Sequence, residues 1–201
     1  MIRFVKPVVF LLALVPAALL VRAGANGTLG VNPAETLQLE TGVWALRFLL
    51  ITLAVTPLRR MTGWNRVIQY RRMLGLLAFF YAFAHFLTYL VLDRFFDVGG
   101  VVADVAKRPF ITAGMVAFGL MIPLALTSTK GWIRRLGKRW QVLHRLIYMC
   151  ACAGAVHYLW KVKVMAGPPV YYALAVALLL ALRAWWQLKS AKSLNRQHVS
   201  A

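Results

Sequence analysis

Long apolar runs separated by short polar and basic connections make up most of the chain. Six of them approach the roughly 20 residues that a helix needs to cross a hydrocarbon core. They are Pro7 to Val21, Gly42 to Thr56, Leu74 to Leu92, Phe110 to Thr127, Trp140 to Trp160 and Pro169 to Leu188. Trp44, Trp140, Trp160, Trp185 and Trp186 stand at or near the ends of these runs, where an aromatic belt meets the membrane surface. The pattern predicts an all-α integral membrane protein, a six-helix transmembrane bundle. Its parts are a first span with an outer loop over residues 1–41, five spans over 42–188 and a basic tail over 189–201.

Composition agrees with this reading. The 201 residues are 61% hydrophobic and 14% charged, against about 45–50% and about 25% in soluble domains. Six crossings use roughly 120 positions, and the remaining pieces are expected to leave no room for an appended soluble domain. The net charge of +19 would suggest nucleic acid in a soluble protein. Sorted by alternate connections, 15 Lys and Arg fall on one side and 6 on the other, with Arg47, Arg145 and Arg183 inside spans. The second side holds every acid: Glu35, Glu40, Asp93, Asp97 and Asp104. The positive-inside rule then places both termini in the cytoplasm, and the charge becomes a signal of topology and of attraction to anionic membrane lipid. No basic run is interleaved with aromatics, so nucleic acid is not an expected partner.

Arg3 and Lys6 before a short apolar run also describe a signal peptide, but Arg22 and the lack of a clean small-residue cleavage site favour a retained first span. Cys150 and Cys152, two apart on one helix, face different directions and read as buried small residues. No repeat of 20 to 50 residues and no nucleotide-binding glycine pattern stands out.

Ionisable residues inside a span are expensive, and their default reading is functional. His85 lies in the third span, and His144 and His157 in the fifth; His198 lies in the tail. Histidine is a common axial ligand of haem iron, and cofactor sites are built between facing helices of a bundle. At 1.5 Å per residue, His85 differs in depth from His157 by roughly 9 Å and from His144 by roughly 10 Å, so depth leaves both pairs open. Arg47, near the outer end of the second span, either pairs with a haem propionate or snorkels to the interface. Haem binding, a proton or ion pathway, and plain interhelical hydrogen bonds are all compatible with these residues.

The stretches Arg71 to Leu76, Ala84 to Tyr89, Lys107 to Thr112, Leu124 to Thr129, Leu136 to His144 and Val156 to Lys163 closely resemble the MsrQ (YedZ) family of haem-binding membrane subunits. The resemblance runs from about Gly42 to Leu188. The wider family it resembles is the ferric reductase-like transmembrane domain, whose members carry two histidines on each of two helices and hold two stacked haems. His144 and His157 keep one such pair. The position that would complete the other with His85 is Arg71, which cannot ligate iron. The resemblance therefore implies His85 with His157 as the ligands of an outer haem b. It leaves His144 as an alternative ligand, or as part of an inner flavin or quinone site with Arg71, Arg72 and Arg145. It also implies FMN, although no flavin fold is legible.

By the same resemblance the chain is an electron relay in the bacterial inner membrane. Its electrons are expected from the quinone pool or a cytoplasmic flavin reductase. They are delivered to a periplasmic MsrP-like molybdoenzyme that repairs methionine sulfoxide in oxidised proteins, with Asp93 to Arg108 as the candidate docking segment. The rival class is a proton-coupled transporter or channel using the buried His and Arg residues; a third is a scaffold without redox chemistry.

Overall fold

The computed structural model describes the backbone of residues 2–162 and 167–199 and the side chains of residues 5–162 and 167–189. Lys163 and the side chains of Arg3, Lys192, Arg196 and His198 lie outside the described residues. Six stretches are long and apolar enough to cross a membrane: Val5–Ala25, Pro33–Thr62, Asn65–Asp93, Pro109–Leu126, Lys138–Val162 and Pro168–Lys189. Each overlaps one of the expected spans, and among the described residues there is no strand.

The first half of the chain forms α1 (Ile2–Ala25), α2 (Pro33–Thr62), a 3-10 segment (Asn65–Tyr70) and α3 (Arg71–Thr88), which runs on as a π-helical turn through Asp93. The second half forms α4 (Val98–Lys107), α5 (Pro109–Leu126), the short α6 (Lys130–Leu136) and α7 (Lys138–Leu143), a 3-10 turn (His144–Leu146), α8 (Ile147–Val162) and α9 (Pro168–Val199). In the bundle α2 packs along α3 and α5 along α8.

Local chemistry accounts for two departures from the expected spans. α2 begins nine residues before Gly42 because Asn32 caps it, its side chain accepting from the Glu35 N–H, with Pro33 in the first turn. Both residues are favoured at a helix start. The helix therefore carries Gln38 down toward the bundle, and the expected division at residue 41 falls inside it. The fifth span is a broken helix. At its N-terminal end the Trp140 indole donates to the Thr127 carbonyl (2.9 Å) and His144 Nε2 meets Thr127 Oγ1 (3.1 Å), and the chain tightens into the 3-10 turn before α8 begins.

The core is a strip shared by α2, α3, α5 and α8, built on Leu49, Leu53, Leu77, Ala78, Tyr81, Met121, Cys150 and Ala151. Large apolar side chains such as Leu11, Leu12, Met149, Leu174 and Leu178 point outward, which is stable only where lipid is the solvent. Trp160 and Trp185 are exposed as belt residues should be, whereas Trp44 packs inward on Phe48 and Tyr81.

Helix interruptions are repaired by side chains from neighbours. Pro57 in α2 has no N–H for the Leu53 carbonyl, and Arg183 of α9 donates to that oxygen instead (2.6 Å) while holding the Tyr148 hydroxyl (2.7 Å). Beside Pro16 in α1, the fully buried Tyr81 inserts its hydroxyl between Ala13 and Ala17, donating to the first carbonyl (2.7 Å) and accepting from the second N–H (3.2 Å). This is the polar tie between α1 and the bundle. Tyr81→Phe is expected to cost about 1 kcal/mol, the scale of an interhelical hydrogen bond in a membrane. Unfolding of the detergent-solubilised protein measures it, and unchanged stability would remove the tie from the account.

Candidate functional site

A cavity of about 530 Å³ lies between α2, α3, α5 and α8, toward the end of the bundle where α4 sits. That is within the roughly 300–1,000 Å³ usual for ligand and cofactor sites. Leu46, Leu49, Phe86, Met115, Phe118 and Met121 give it apolar walls. His85 from α3 and His157 from α8 face one another across it, with ring centres 5.9 Å apart and ring planes at 76°.

Each ring is held the same way. His85 Nδ1 lies 2.8 Å from the Gln38 carbonyl of α2, and His157 Nδ1 lies 2.6 Å from the Phe110 carbonyl of α5. A carbonyl can only accept, so Nδ1 carries the proton in both rings and Nε2 keeps its lone pair. This is the usual arrangement of a metal-ligating imidazole. The approach is possible because the residue one turn after each carbonyl, where a side chain would cover it, is glycine. A Cβ on Gly42 would stand 3.0 Å from His85 Nδ1, and one on Gly114 only 2.7 Å from His157 Nδ1.

The spacing fits a metal between the rings. Two metal–nitrogen bonds of about 2 Å each, plus about 1 Å from each nitrogen to its ring centre, sum to about 6 Å. Among the described residues no group of three or more His, Cys, Asp or Glu could hold a metal ion. A metal held by these two rings would need further ligands, which a planar tetrapyrrole would supply.

The two half-sites are related along the sequence. Each histidine follows its carbonyl by 47 residues, and 157 − 85, 114 − 42 and 110 − 38 are each 72. The helix pairs α2/α3 and α5/α8 are thus two copies of one arrangement. That offset exceeds the 20 to 50 residues typical of solenoid and propeller repeats. The legible signal would have been a glycine 43 residues before each histidine.

His144 is apart from the cavity lining. It stacks on Trp140 with ring centres 3.9 Å apart and bonds Thr127. Arg71 is near enough for its charge to act on both His144 and Arg183, while Arg72 and Arg145 are exposed. Arg47 also stands outside the cavity lining: its Nε donates to the Tyr172 hydroxyl (2.8 Å) and its guanidinium lies 4.5 Å from the Trp44 ring centre. The charged groups that do line the mouth are Glu35, Asp93, Arg108 and Lys161; of the two bases, Arg108 was expected within the docking segment and Lys161 as an outer-side charge. Cys150 lines the cavity from α8 as a buried residue, but Cys152, also expected to be buried, is exposed, because two residues along a helix turn it to a different face.

Residues 41–155 match the model of the ferric reductase like transmembrane component. The chain belongs to that family. Within it the chain groups with the MsrQ subunits. It is 51% identical over 197 residues to the protein-methionine-sulfoxide reductase heme-binding subunit MsrQ of Ralstonia nicotianae, covering 95% of this chain and 89% of the relative. The subunit of the same name from Herminiimonas arsenicoxydans is 49% identical over 191 residues, covering 92% and 86%. That from Brucella anthropi is 47% identical over 186 residues, covering 92% and 82%. No solved structure matches.

Alanine at the two cavity glycines tests the packing. Gly114→Ala is expected to destabilise by about 1–3 kcal/mol, as overpacking does, and Gly42→Ala by less. Gly119→Ala, which meets nothing within 4 Å, is expected to be neutral or slightly stabilising. Thermal unfolding of the three purified variants gives the order; equal losses at all three would mean that the glycines do not hold the rings.

Proposed function

We propose that this chain is a membrane cytochrome b subunit that relays electrons to a periplasmic methionine sulfoxide reductase for the repair of oxidised proteins. The observation that carries the reading is the pair of rings of His85 and His157, 5.9 Å apart in an apolar cavity of cofactor size, each with Nδ1 bonded to a main-chain carbonyl so that Nε2 is left free. A haem b held there supplies one-electron transfer. The chain's own contribution would be to hold the group through the free Nε2 atoms of His85 and His157 and to wall it with apolar side chains. Hydrogen bonds from Nδ1 to main-chain carbonyls fix both rings in orientation and raise their basicity as ligands.

The excess of Lys and Arg on one set of connections supports an inner-membrane orientation with both termini in the cytoplasm. The cavity then opens toward the periplasm, on the side where a molybdenum-dependent partner would dock. Electrons enter from the other side, from quinol or a cytoplasmic flavin reductase, at the cluster of His144, Trp140 and Arg71. Arg72 and Arg145 are exposed rather than gathered round a buried ligand, and we assign no step to FMN.

The purified protein is expected to show a low-spin b-type Soret band. His85→Ala and His157→Ala should each abolish it, and His144→Ala should keep it while slowing reduction by a quinol analogue or by NADH with a flavin reductase. Full haem in both of the first two variants would overturn the assigned pair. A colourless preparation that drives proton-coupled uptake in vesicles would replace the relay with a transporter.

A further inference from the structure

Asp104 of α4 is the only one of the five acids that is buried, at 6% exposure. A buried carboxylate is costly unless it is paired and hydrogen-bonded, and this one is saturated. Oδ2 accepts from the Tyr89 hydroxyl (2.8 Å) and from Arg94, and Oδ1 faces Arg108 Nε at 3.3 Å. Burial alone would raise the Asp104 carboxyl, but the Tyr89 hydroxyl and the two guanidinium groups outweigh it and hold it below the ordinary carboxylate range. Two of the three partners, Tyr89 and Arg108, line the cavity.

Arg108 immediately precedes α5 and is about half exposed. Its Nε edge is turned to Asp104, which leaves the two terminal nitrogens for another acceptor. Lys161 stands one turn beyond His157 on α8 and lines the same mouth, its Nζ 5.9 Å from the Phe110 ring centre. Two cations from the two helices that build the His157 half-site therefore flank the cavity mouth, beside the acids Glu35 and Asp93. A tetrapyrrole of the haem b type carries carboxylates on one edge, and a guanidinium and an ammonium are suited to hold them.

We propose that Arg108 and Lys161 form a carboxylate-binding clamp for the propionate edge of the cofactor, with Asp104 as the positioning residue that aims Arg108. The clamp rests on the haem reading above, and it moves the propionate contact from Arg47, which is engaged by Tyr172 and Trp44, to the mouth.

The test uses the full-length haem-loaded protein in detergent, with redox potentiometry and transfer of haem to apomyoglobin as readouts. Arg108→Gln and Lys161→Gln are expected to keep the Soret position while releasing haem at least tenfold faster. Each also leaves a propionate charge less compensated, which favours ferric iron and lowers the midpoint potential. A tenfold change in the ferric-to-ferrous ratio corresponds to about 59 mV for one electron. Asp104→Asn should add nothing in the Arg108→Gln background if it acts through that side chain. Where Asp104→Asn does not fold, Asp104→Glu keeps the charge, displaces Arg108 and should lower the potential as Arg108→Gln does. Unchanged potential and release in both clamp variants, with haem bound, would overturn the clamp and leave the relay intact. A shift in Arg47→Gln alone would return the carboxylates to the interior and overturn it as well. A wild-type protein that takes up no haem would sink the relay reading together with the clamp.

Discussion

A histidine N–H at membrane depth has no water to donate to, and in this protein each cavity histidine gives its proton to a main-chain carbonyl on the neighbouring helix. Those carbonyls already belong to helical turns. They are reachable only because Gly42 and Gly114 leave out the side chain that would stand between ring and backbone. The orientation of both rings follows from this contact, as does the identity of the free nitrogen and the separation of 5.9 Å across the cavity. Moving either ring costs a buried hydrogen bond, so the site is formed before any ligand enters.

The same demand for internal satisfaction shapes the rest of the bundle. In hydrocarbon an unpaired polar group costs several kcal/mol or finds a partner. Arg183 takes the carbonyl that Pro57 leaves open, and Tyr81 fills a gap in the hydrogen-bond ladder beside Pro16. Asp104 gathers Tyr89, Arg94 and Arg108 into one network where α3, α4 and α5 meet. The Arg183 and Tyr81 contacts join distant parts of the chain, the Asp104 network neighbouring ones, and each fixes how adjoining elements sit against one another. Apolar packing alone does this poorly in a membrane, because lipid competes for the same surfaces.

Charge gives the bundle its polarity. The cavity mouth carries Glu35 and Asp93 with Arg108 and Lys161, so the end of the molecule nearest the two histidines is where acids and bases balance. The opposite end, where Thr127, Trp140 and His144 meet, is reached through strongly basic connections with no acid among them. One end thus attracts anionic lipid or an anionic donor, and the other presents a mixed surface.

The number of spans, their approximate limits and the placement of His85, His144 and His157 inside spans were legible in the order of residues. Apolar run length and isolated intramembrane histidines are local properties that hydrocarbon penalises or rewards directly. Sequence depth left His85 equally compatible with His144 and His157, since one residue of uncertainty in a helix end moves a side chain by about 1.5 Å. The family resemblance implied the pair of His85 and His157, and packing sets their rings 5.9 Å apart and turns His144 to Trp140 and Thr127. Likewise Arg47 had the right depth for a propionate but its side chain leads to Tyr172, while Arg108, expected in a docking segment, and Lys161, expected as an outer-side charge, both line the cavity. What the sequence by itself determined is what hydrophobicity and charge decide one segment at a time. Which imidazoles face each other, and which cations guard them, depends on helix rotation, and only the tertiary contacts of Gly42, Gly114 and Asp104 decide that.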